Sequence, residues 1–584
     1  MVQNEAENNE KKERSYVKKD IIKGKAKWLV YINHFLIGWD DNIWWFALGL
    51  FLVEITPQSL TFTATYGLLS GAAVLLFGAV VGDWVDRTPR LTVARVSVLF
   101  QNSALIFCCL LIYTVIEFKA QISTVLPQEG LLYFMYALII LIAIAANLTS
   151  MARQTAIERD WIVEICNRDK DLLAVLSATM RGISLLTMVI TPIITGQILS
   201  RTSHSTGALV VAGWNFLTIF LEYFLLWKIY NEVPQLRKKK IKEHRVQETT
   251  INLMHGVDAA TEFTDTGVNS VVGEKIDKLE ETTVTEIHDY HEEPLKPRTC
   301  AELLCSSFIT LRRGWRIYKN YDVAFAGLSL AALYFTVLGF HNITIGYAVS
   351  QGLSEDLIGG LLAAAAASGI VGTLLYPRIR RWLGLRKTGL VALGEELTSL
   401  TLCVISVFAP GSPFDPLYYI RDKEMDLPLH STPRQLQLAM NYSTTTLSHF
   451  QIVNSTDVFI SNTTLGTLDA EGPSSLVSIS LLMAGIIGAR VGLWMADLTI
   501  TQLFLESVDV TERGIVAGFQ NALNQLMEML KYVVVILLPL PQVFGYLVFI
   551  SYGFIALGWI LFAVYVKKTR GFLFQKTTIS SQPT

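Results

Sequence analysis

The chain has 584 residues, of which 51% are apolar and only 17% are Asp, Glu, Lys or Arg, with a mean hydropathy of +0.41. Because soluble domains carry about 25% of these charged residues, the composition excludes a soluble enzyme, a disordered chain and a disulfide scaffold. A formal net charge of −2 gives no reason to expect nucleic acid as a partner, and the six cysteines have neither CxxC nor zinc-like spacing.

Apolar stretches of membrane-spanning length recur along the chain, since a bilayer core about 30 Å thick needs roughly 20 apolar residues in a helix. Twelve such stretches lie at 26–53, 60–82, 92–116, 130–150, 172–199, 207–230, 320–348, 356–376, 387–409, 475–503, 514–540 and 543–566. The sequence therefore predicts an all-α membrane protein of twelve transmembrane helices. They form two six-helix halves, at 26–230 and 317–566, on either side of a polar linker at 231–316.

Positive charge orients this bundle. Lys and Arg precede the first span and follow the second, fourth, eighth and last spans, with Arg153 and Arg159 after the fourth. These clusters fall on one side of the membrane, so the tails at 1–25 and 567–584 and the linker are predicted to be cytosolic. The loop at 410–474 then lies outside, where its N-x-[ST] sequons at Asn441, Asn454 and Asn462 can be glycosylated.

The linker is basic first and acidic afterwards, and it lacks apolar periodicity, which predicts disorder over most of its length. Its end, 308–319, is basic and amphipathic. An interfacial helix and a solvated linker both remain open for this segment.

A charged motif, Gly82-Asp83-Trp84-Val85-Asp86-Arg87-Thr88-Pro89-Arg90, follows the second span. It reads G-x-x-x-D-R-x-x-R and resembles the loop signature of the major facilitator superfamily. Ion pairs of Asp86, Arg87 and Arg90 could hold the cytosolic side of the half-bundle closed. The alternative is an ordinary polar turn with positive-inside charges.

Ionisable groups at membrane depth are costly, so each one is a candidate functional residue. His34 and Asp41 are seven residues apart on one face of the first helix, as are Asn215 and Glu222 in the sixth. The side-chain oxygens of four residues together could hold a divalent cation: Asp41, Gln101, Asn215 and Glu222. The alternative is an interhelical hydrogen-bond network without metal.

The seventh span carries His341 and Asn342 between Gly339 and Gly346, a pattern that predicts a broken helix. Imidazole with carboxylate suits a first-row metal such as Fe²⁺, Co²⁺ or Zn²⁺, although a lone histidine is more often a packing residue. In the eleventh span Glu528 and Lys531 are three residues apart and could pair with each other.

Longer segments resemble the ferroportins, a family of ferrous iron exporters within the major facilitator superfamily, across essentially all twelve spans. The similar segments include Gly38-Trp39, Phe51-Leu52-Val53-Glu54, Arg159-Asp160-Trp161-Ile162-Val163, Gly213-Trp214-Asn215, Val337-Leu338-Gly339-Phe340, Gly492-Leu493-Trp494 and Glu512-Arg513-Gly514-Ile515. The resemblance is absent in the termini and the two long loops.

The resemblance implies Fe²⁺ export across the plasma membrane by alternating access coupled to proton influx, with lipid around the bundle. It implies that Asp41 binds substrate in the first half, with His34 as a further candidate ligand. It also implies a regulatory Ca²⁺ on Asp41, Gln101, Asn215 and Glu222. Finally, it implies cytosolic gate residues that pair across the halves when the protein faces outward, namely Asp160, Arg181 and Arg513.

Departures from the family pattern concentrate at the metal ligands. The first-half histidine of the family is Trp45 here, the second-half cysteine and histidine are Asn342 and Lys531, and a vertebrate aspartate is Ser184. His341 could compensate in the second half, or Lys531 could supply a fixed charge. Because the lost cysteine is central to binding of the peptide hepcidin, we expect a weak or absent hepcidin response.

Two alternatives to iron export follow from these departures. The first is transport of another divalent metal, such as Co²⁺, Zn²⁺ or Mn²⁺, or of a metal chelate. The second is a metal sensor that retains the fold without transport. The sequence carries neither a Walker loop nor a nucleophile elbow, so an enzyme is not expected.

Overall fold

The computed structural model describes residues 2–237 and 309–575, apart from 58, 126–129, 167–169, 310, 419–420, 422–474 and 510–511. The three sequons and most of the linker lie outside the described residues. Their predicted glycosylation and disorder therefore stay predictions.

Apolar helices form the six described membrane crossings of the first half. They are α1 (Val2–Ile55, apolar from Lys27), α2 (Thr61–Arg87), α3 (Arg90–Val125), α4 (Gly130–Gln154), α5 (Ile162–Ile165), α6 (Lys170–Arg201) and α7 (His204–Glu232). A π-helix, Thr155–Trp161, joins α4 to α5. The fourth membrane-crossing segment consequently runs from Gly130 to Ile165, well past the predicted limit of residue 150.

The second half repeats this arrangement with one broken crossing. Its helices are α8 (Ala324–Tyr334), α9 (Asn342–Ser350), α10 (Glu355–Leu383), α11 (Leu385–Ser406), α12 (Val477–Ser507), α13 (Arg513–Leu537) and α14 (Phe544–Gln575). The non-helical stretch 335–341 between α8 and α9 confirms the predicted broken helix.

Ten of the described helices are long and apolar enough to cross a membrane, compared with the twelve continuous spans predicted. The two remaining crossings are not continuous apolar helices of spanning length. The seventh is divided between α8 and α9. The eleventh, α13, is amphipathic and buries Gln520, Asn524 and Lys531 toward the protein interior.

The outside of the bundle is apolar, as a lipid-facing surface requires. Large apolar side chains that remain exposed on the helices include Phe134, Leu141, Leu217, Phe220 and Leu374. Between the helices, a core that includes Phe46, Phe51 and Phe562 is fully buried. This division confirms the predicted membrane class.

The two halves meet closely at one end of the bundle, where residues 55–57, 59–61, 201–204, 350–355 and 537–544 lie; we call this the closed end. Helices α6 and α10 approach so tightly there that a Cβ on Gly196 would stand 2.6 Å from the carbonyl oxygen of Glu355. A Cβ on Gly359 would likewise collide with the carbonyl oxygen of Pro192. These glycines therefore permit backbone contact between the halves.

Polar contacts reinforce the closed end. The amide of Leu60 donates to the carbonyl of Pro539 in the other half at 2.9 Å. His204, at the start of α7, lies 3.2 Å from Glu355 at the start of α10. Both contacts join α1–α7 to α8–α14, so they resist separation of the halves at this end.

The opposite end carries the Gly82–Arg90 motif, and we call it the motif end. Its ion pairs join residues of one half: Arg90 with Asp160, Arg380 with Glu506, and Lys568 with Asp322. Residues 311–318 are helical at this end. Trp315 and Tyr318 pack there on Phe519 of α13, so this segment is anchored to the second half.

Candidate functional site

Asp41 lies at mid-depth in α1, with its side chain 26% exposed. Its Oδ1 accepts hydrogen bonds from Gln101 at 3.0 Å and from Arg153 at 2.8 Å. Ser150 approaches the same carboxylate at 3.4 Å. The carboxylate therefore stands at the border between accessible space and a buried polar cluster.

Arg153 is the cation of that cluster, and its side chain is completely buried. Nη1 donates to both oxygens of Glu222, at 3.2 and 3.3 Å, while Nη2 donates to Asp41. The sequence alone assigned Arg153 to a charged loop after the fourth span, which was wrong. Because the helix continues through the π-helix to residue 165, Arg153 lies at membrane depth instead.

Two further ionisable residues of α1 have separate partners. Asp40 is buried and accepts a hydrogen bond from Trp214 Nε1 at 2.6 Å. His34 Nε2 lies 2.9 Å from Ser184 Oγ and 3.2 Å from the Met180 carbonyl. His34 and Asp41 share a helix but contact different groups, so the structure does not bring them together as ligands of one ion.

The predicted calcium ligands can be compared with what Ca²⁺ requires. Their carboxylate and amide oxygens are the correct donor type, and Gln101, Asp41 and Glu222 belong to one connected network. However, the guanidinium of Arg153 lies between the two carboxylates. As packed, the residues therefore do not fit Ca²⁺, because a second cation would meet a fixed positive charge at close range.

A cavity of about 270 Å³ lies among the helices of the second half and reaches the first half at Arg181. Its walls combine acidic residues Glu396, Asp497 and Glu528 with basic Arg181 and Arg490, and with His341. The Arg181 guanidinium, from the first half, stacks 5.3 Å from the ring of Trp494 in the second half. Among the described residues, no group of three or more His, Cys, Asp and Glu is arranged to hold a metal.

His341 and Asn342 diverge although they are adjacent. His341 caps the start of α9 and lines the cavity. Asn342 faces α1, where a Cβ on Gly49 would lie 3.0 Å from its Oδ1. In the same half, Lys531 is buried and donates to Glu528 at 3.3 Å. The ammonium of Lys531 therefore balances the negative charge of Glu528.

The motif residues pair within the first half. Arg87 bonds Asp83 one turn away at 2.7 Å. Arg90 binds both oxygens of Asp160 and also Glu164 at 3.0 Å.

The other predicted gate residue, Arg513, binds backbone in the second half. It donates to the carbonyls of Leu505 and Val508 at 2.6 and 3.0 Å. Asp160, Arg181 and Arg513 thus have three different sets of neighbours in this conformation.

The sequence reasoning did not single out Arg153, Glu396 or Arg490 as site residues. Glu396 and Arg490 lie inside the predicted ninth and tenth spans, so the rule applied to Asp41 could have found them. Arg153 gave no such signal, since it lay outside the predicted limits of its span.

Two helical halves that meet at one end, each built from membrane-crossing helices, are the architecture of a membrane transporter with the fold type of the major facilitator superfamily. The family model described as Ferroportin1 (FPN1) matches residues 24–555. The chain therefore belongs to the ferroportin family.

Relatives and solved structures agree with this membership. The chain is 40% identical to Solute carrier family 40 member 1 of Danio rerio over 94% of its length and 92% of that protein's. It is 39% identical to Ferroportin of Homo sapiens, with the same coverage. A bacterial homologue of ferroportin, crystallised in an inward-facing state, matches 93% of this chain and 98% of its own, with 17% identity and a TM-score of 0.62.

Proposed function

We propose that the protein exports Fe²⁺ from the cytosol across the plasma membrane by alternating access, coupled to proton influx. The observation that carries the proposal is the 40% identity to ferroportin-family transporters over nearly the whole chain. In this orientation both termini and the motif end are cytosolic, and the closed end faces outward.

The charged groups of the two halves support a cation pathway between them. Asp41 remains partly accessible. Arg153 and Gln101 both donate to its Oδ1, so Oδ2 is our candidate atom for contact with a passing cation. In the second half, His341 is the candidate ligand that lines the cavity. Metal loading of a carboxylate and an imidazole favours their deprotonated forms, which links metal movement to protons.

The contacts between the halves support a cytosol-facing conformation. Backbone packing at Gly196 and Gly359 seals the closed end, while the ion pairs of Arg90 and Arg380 at the motif end stay within one half. Export would require the opposite arrangement, with new pairs across the motif end. Asp160 and Arg513 are our candidates for such pairs.

Transport of a different divalent metal, or of a metal chelate, is the second candidate function. Asn342 packs toward α1 and Lys531 is bound to Glu528, so the second half offers few ligands to a free ion. Asn342 also stands where the family has the cysteine that is central to hepcidin binding, which supports a weak or absent response to hepcidin. A sensor without transport would show no flux of any metal.

Flux through purified protein in proteoliposomes tests the proposal. We expect wild type to carry Fe²⁺, and Asp41→Ala to reduce the rate by about tenfold or more, the loss expected when a buried charge contact worth over 1.4 kcal/mol is removed. Glu117→Ala is the matched control, because Glu117 is an exposed carboxylate outside the cavity. Co²⁺, Zn²⁺ and Mn²⁺ measured in parallel decide the substrate, and a pH gradient tests proton coupling.

A further inference from the structure

The cluster around Arg153 is unusual because its cation is part of the protein. The side chains of Arg153 and Glu222 have no exposed surface, and the guanidinium donates to two carboxylates, those of Asp41 and Glu222. Buried carboxylates are stable only when a cation or hydrogen-bond donors compensate them. Trp214 compensates Asp40 through a hydrogen bond, whereas Asp41 and Glu222 share Arg153.

Gln101, which donates to Asp41, and Asn215, two turns before Glu222 on α7, carry amide oxygens of the kind that bind metal. Among the described residues, Gln101 Oε1 and Asn215 Oδ1 are buried and accept no hydrogen bond. With the carboxylates of Asp41 and Glu222 they offer the hard oxygen donors that a divalent ion such as Ca²⁺ prefers. The guanidinium therefore lies between the two carboxylates of a donor set that could otherwise hold a metal ion.

We propose that Arg153 is the resident cation of this cluster and replaces a bound divalent ion in this protein. A tethered guanidinium is always charged and cannot dissociate, so it links α1, α4 and α7 in every ionic condition. The protein then needs no Ca²⁺ to hold these helices together. Because positive charges repel strongly at close range in a low dielectric, Ca²⁺ does not bind while Arg153 is in place.

The proposal predicts the consequence of removing the guanidinium. Arg153→Gln leaves Asp41 and Glu222 facing each other without a counter-charge, which is destabilising. Ca²⁺ would relieve that repulsion by binding both carboxylates and the amide oxygens of Gln101 and Asn215. A single substitution should thus convert a metal-free cluster into a calcium site.

Calcium binding to the purified full-length protein tests this directly. By calorimetry and thermal unfolding, we expect wild type to bind no Ca²⁺ up to about 1 mM, the range of weak extracellular sites, and its Tm not to change. Arg153→Gln should bind one Ca²⁺ per chain, with a Tm that is low in chelator and rises with Ca²⁺. Arg153→Lys, which keeps a charge, should stay indifferent.

The double variant Arg153→Gln/Glu222→Gln is the matched control, since it removes one of the two unpaired carboxylates and should lose the gained Ca²⁺ response. Stoichiometric Ca²⁺ binding by wild type at the Asp41–Glu222 cluster would overturn the proposal, even if no variant folds. A folded Arg153→Gln protein that ignores Ca²⁺ would overturn it as well.

A transport measurement extends the test and rests on the proposed function. Fe²⁺ flux by wild type should be equal in Ca²⁺-free buffer and in buffer with Ca²⁺, whereas flux by Arg153→Gln should depend on Ca²⁺. If no Fe²⁺ flux is seen under any condition, the export proposal fails. The calcium-binding measurements still test the role of Arg153, because they do not depend on transport.

Discussion

His204 bonds Glu355 across the two halves of the transporter, with Nε2 of the imidazole 3.2 Å from Oε1 of the carboxylate. Glu54 lies 3.7 Å from the other ring nitrogen, so one imidazole contacts two carboxylates at the closed end. The three side chains come from α7, α10 and α1, and the contact fixes the relative position of the halves.

Loss of this contact should favour opening at the closed end. His204→Ala should increase labelling of a Leu60→Cys background by about 1.4- to fivefold, because a partly exposed polar contact of this kind contributes roughly 0.2–1 kcal/mol. Leu60 is buried at this end, so its labelling reports separation of the halves. In a double-mutant cycle, Glu355→Gln should add little once His204 is replaced; additive effects would show that the pair is not coupled.

The contact between α6 and α10 should be sensitive to side-chain volume. Gly359→Leu would drive a side chain into the backbone at Pro192, and we expect the halves to be unable to meet at the closed end. Fe²⁺ flux should fall by about tenfold, as when closure loses more than 1.4 kcal/mol, while the folded yield is retained. Gly360→Leu is the control, since nothing lies within 4 Å of a Cβ at Gly360. Equal losses in both variants would contradict this account.

Lys531→His should increase metal affinity in the second half. The substitution removes a buried ammonium and adds an imidazole close to Glu528, in the half where His341 lines the cavity. Binding of Co²⁺ and Zn²⁺ should strengthen by calorimetry, and His341→Ala in the same background should reverse the gain. An unchanged affinity would indicate that this half no longer holds metal.

The pairing of Arg90 predicts unequal effects of its two acidic partners. Asp160 accepts two hydrogen bonds from the guanidinium and Glu164 accepts one. Asp160→Asn should therefore lower the Tm more than Glu164→Gln, since bidentate Arg–carboxylate pairs are the stronger ones. In a protein that already carries Arg90→Gln, the difference in Tm between the two variants should become smaller. An equal effect of the two partners would indicate that the bidentate geometry does not matter.

Much of the architecture follows from local properties of the chain. Apolar length predicted the crossings, and the Gly339–Gly346 pattern predicted the break between α8 and α9, because both depend on neighbours in sequence. The choice of Asp41 as a candidate site residue also followed from local sequence, because it is an ionisable residue inside a predicted span.

Only the tertiary structure decided how the charges pair. Arg153 stands beyond an apolar run, and composition cannot distinguish a cation in a cytosolic loop from one buried inside the bundle. A π-helix extends the fourth crossing to residue 165, and folding brings Asp41 and Glu222, from helices far apart in sequence, to the same guanidinium. Their distances of about 3 Å arise from helix packing, which no local pattern encodes.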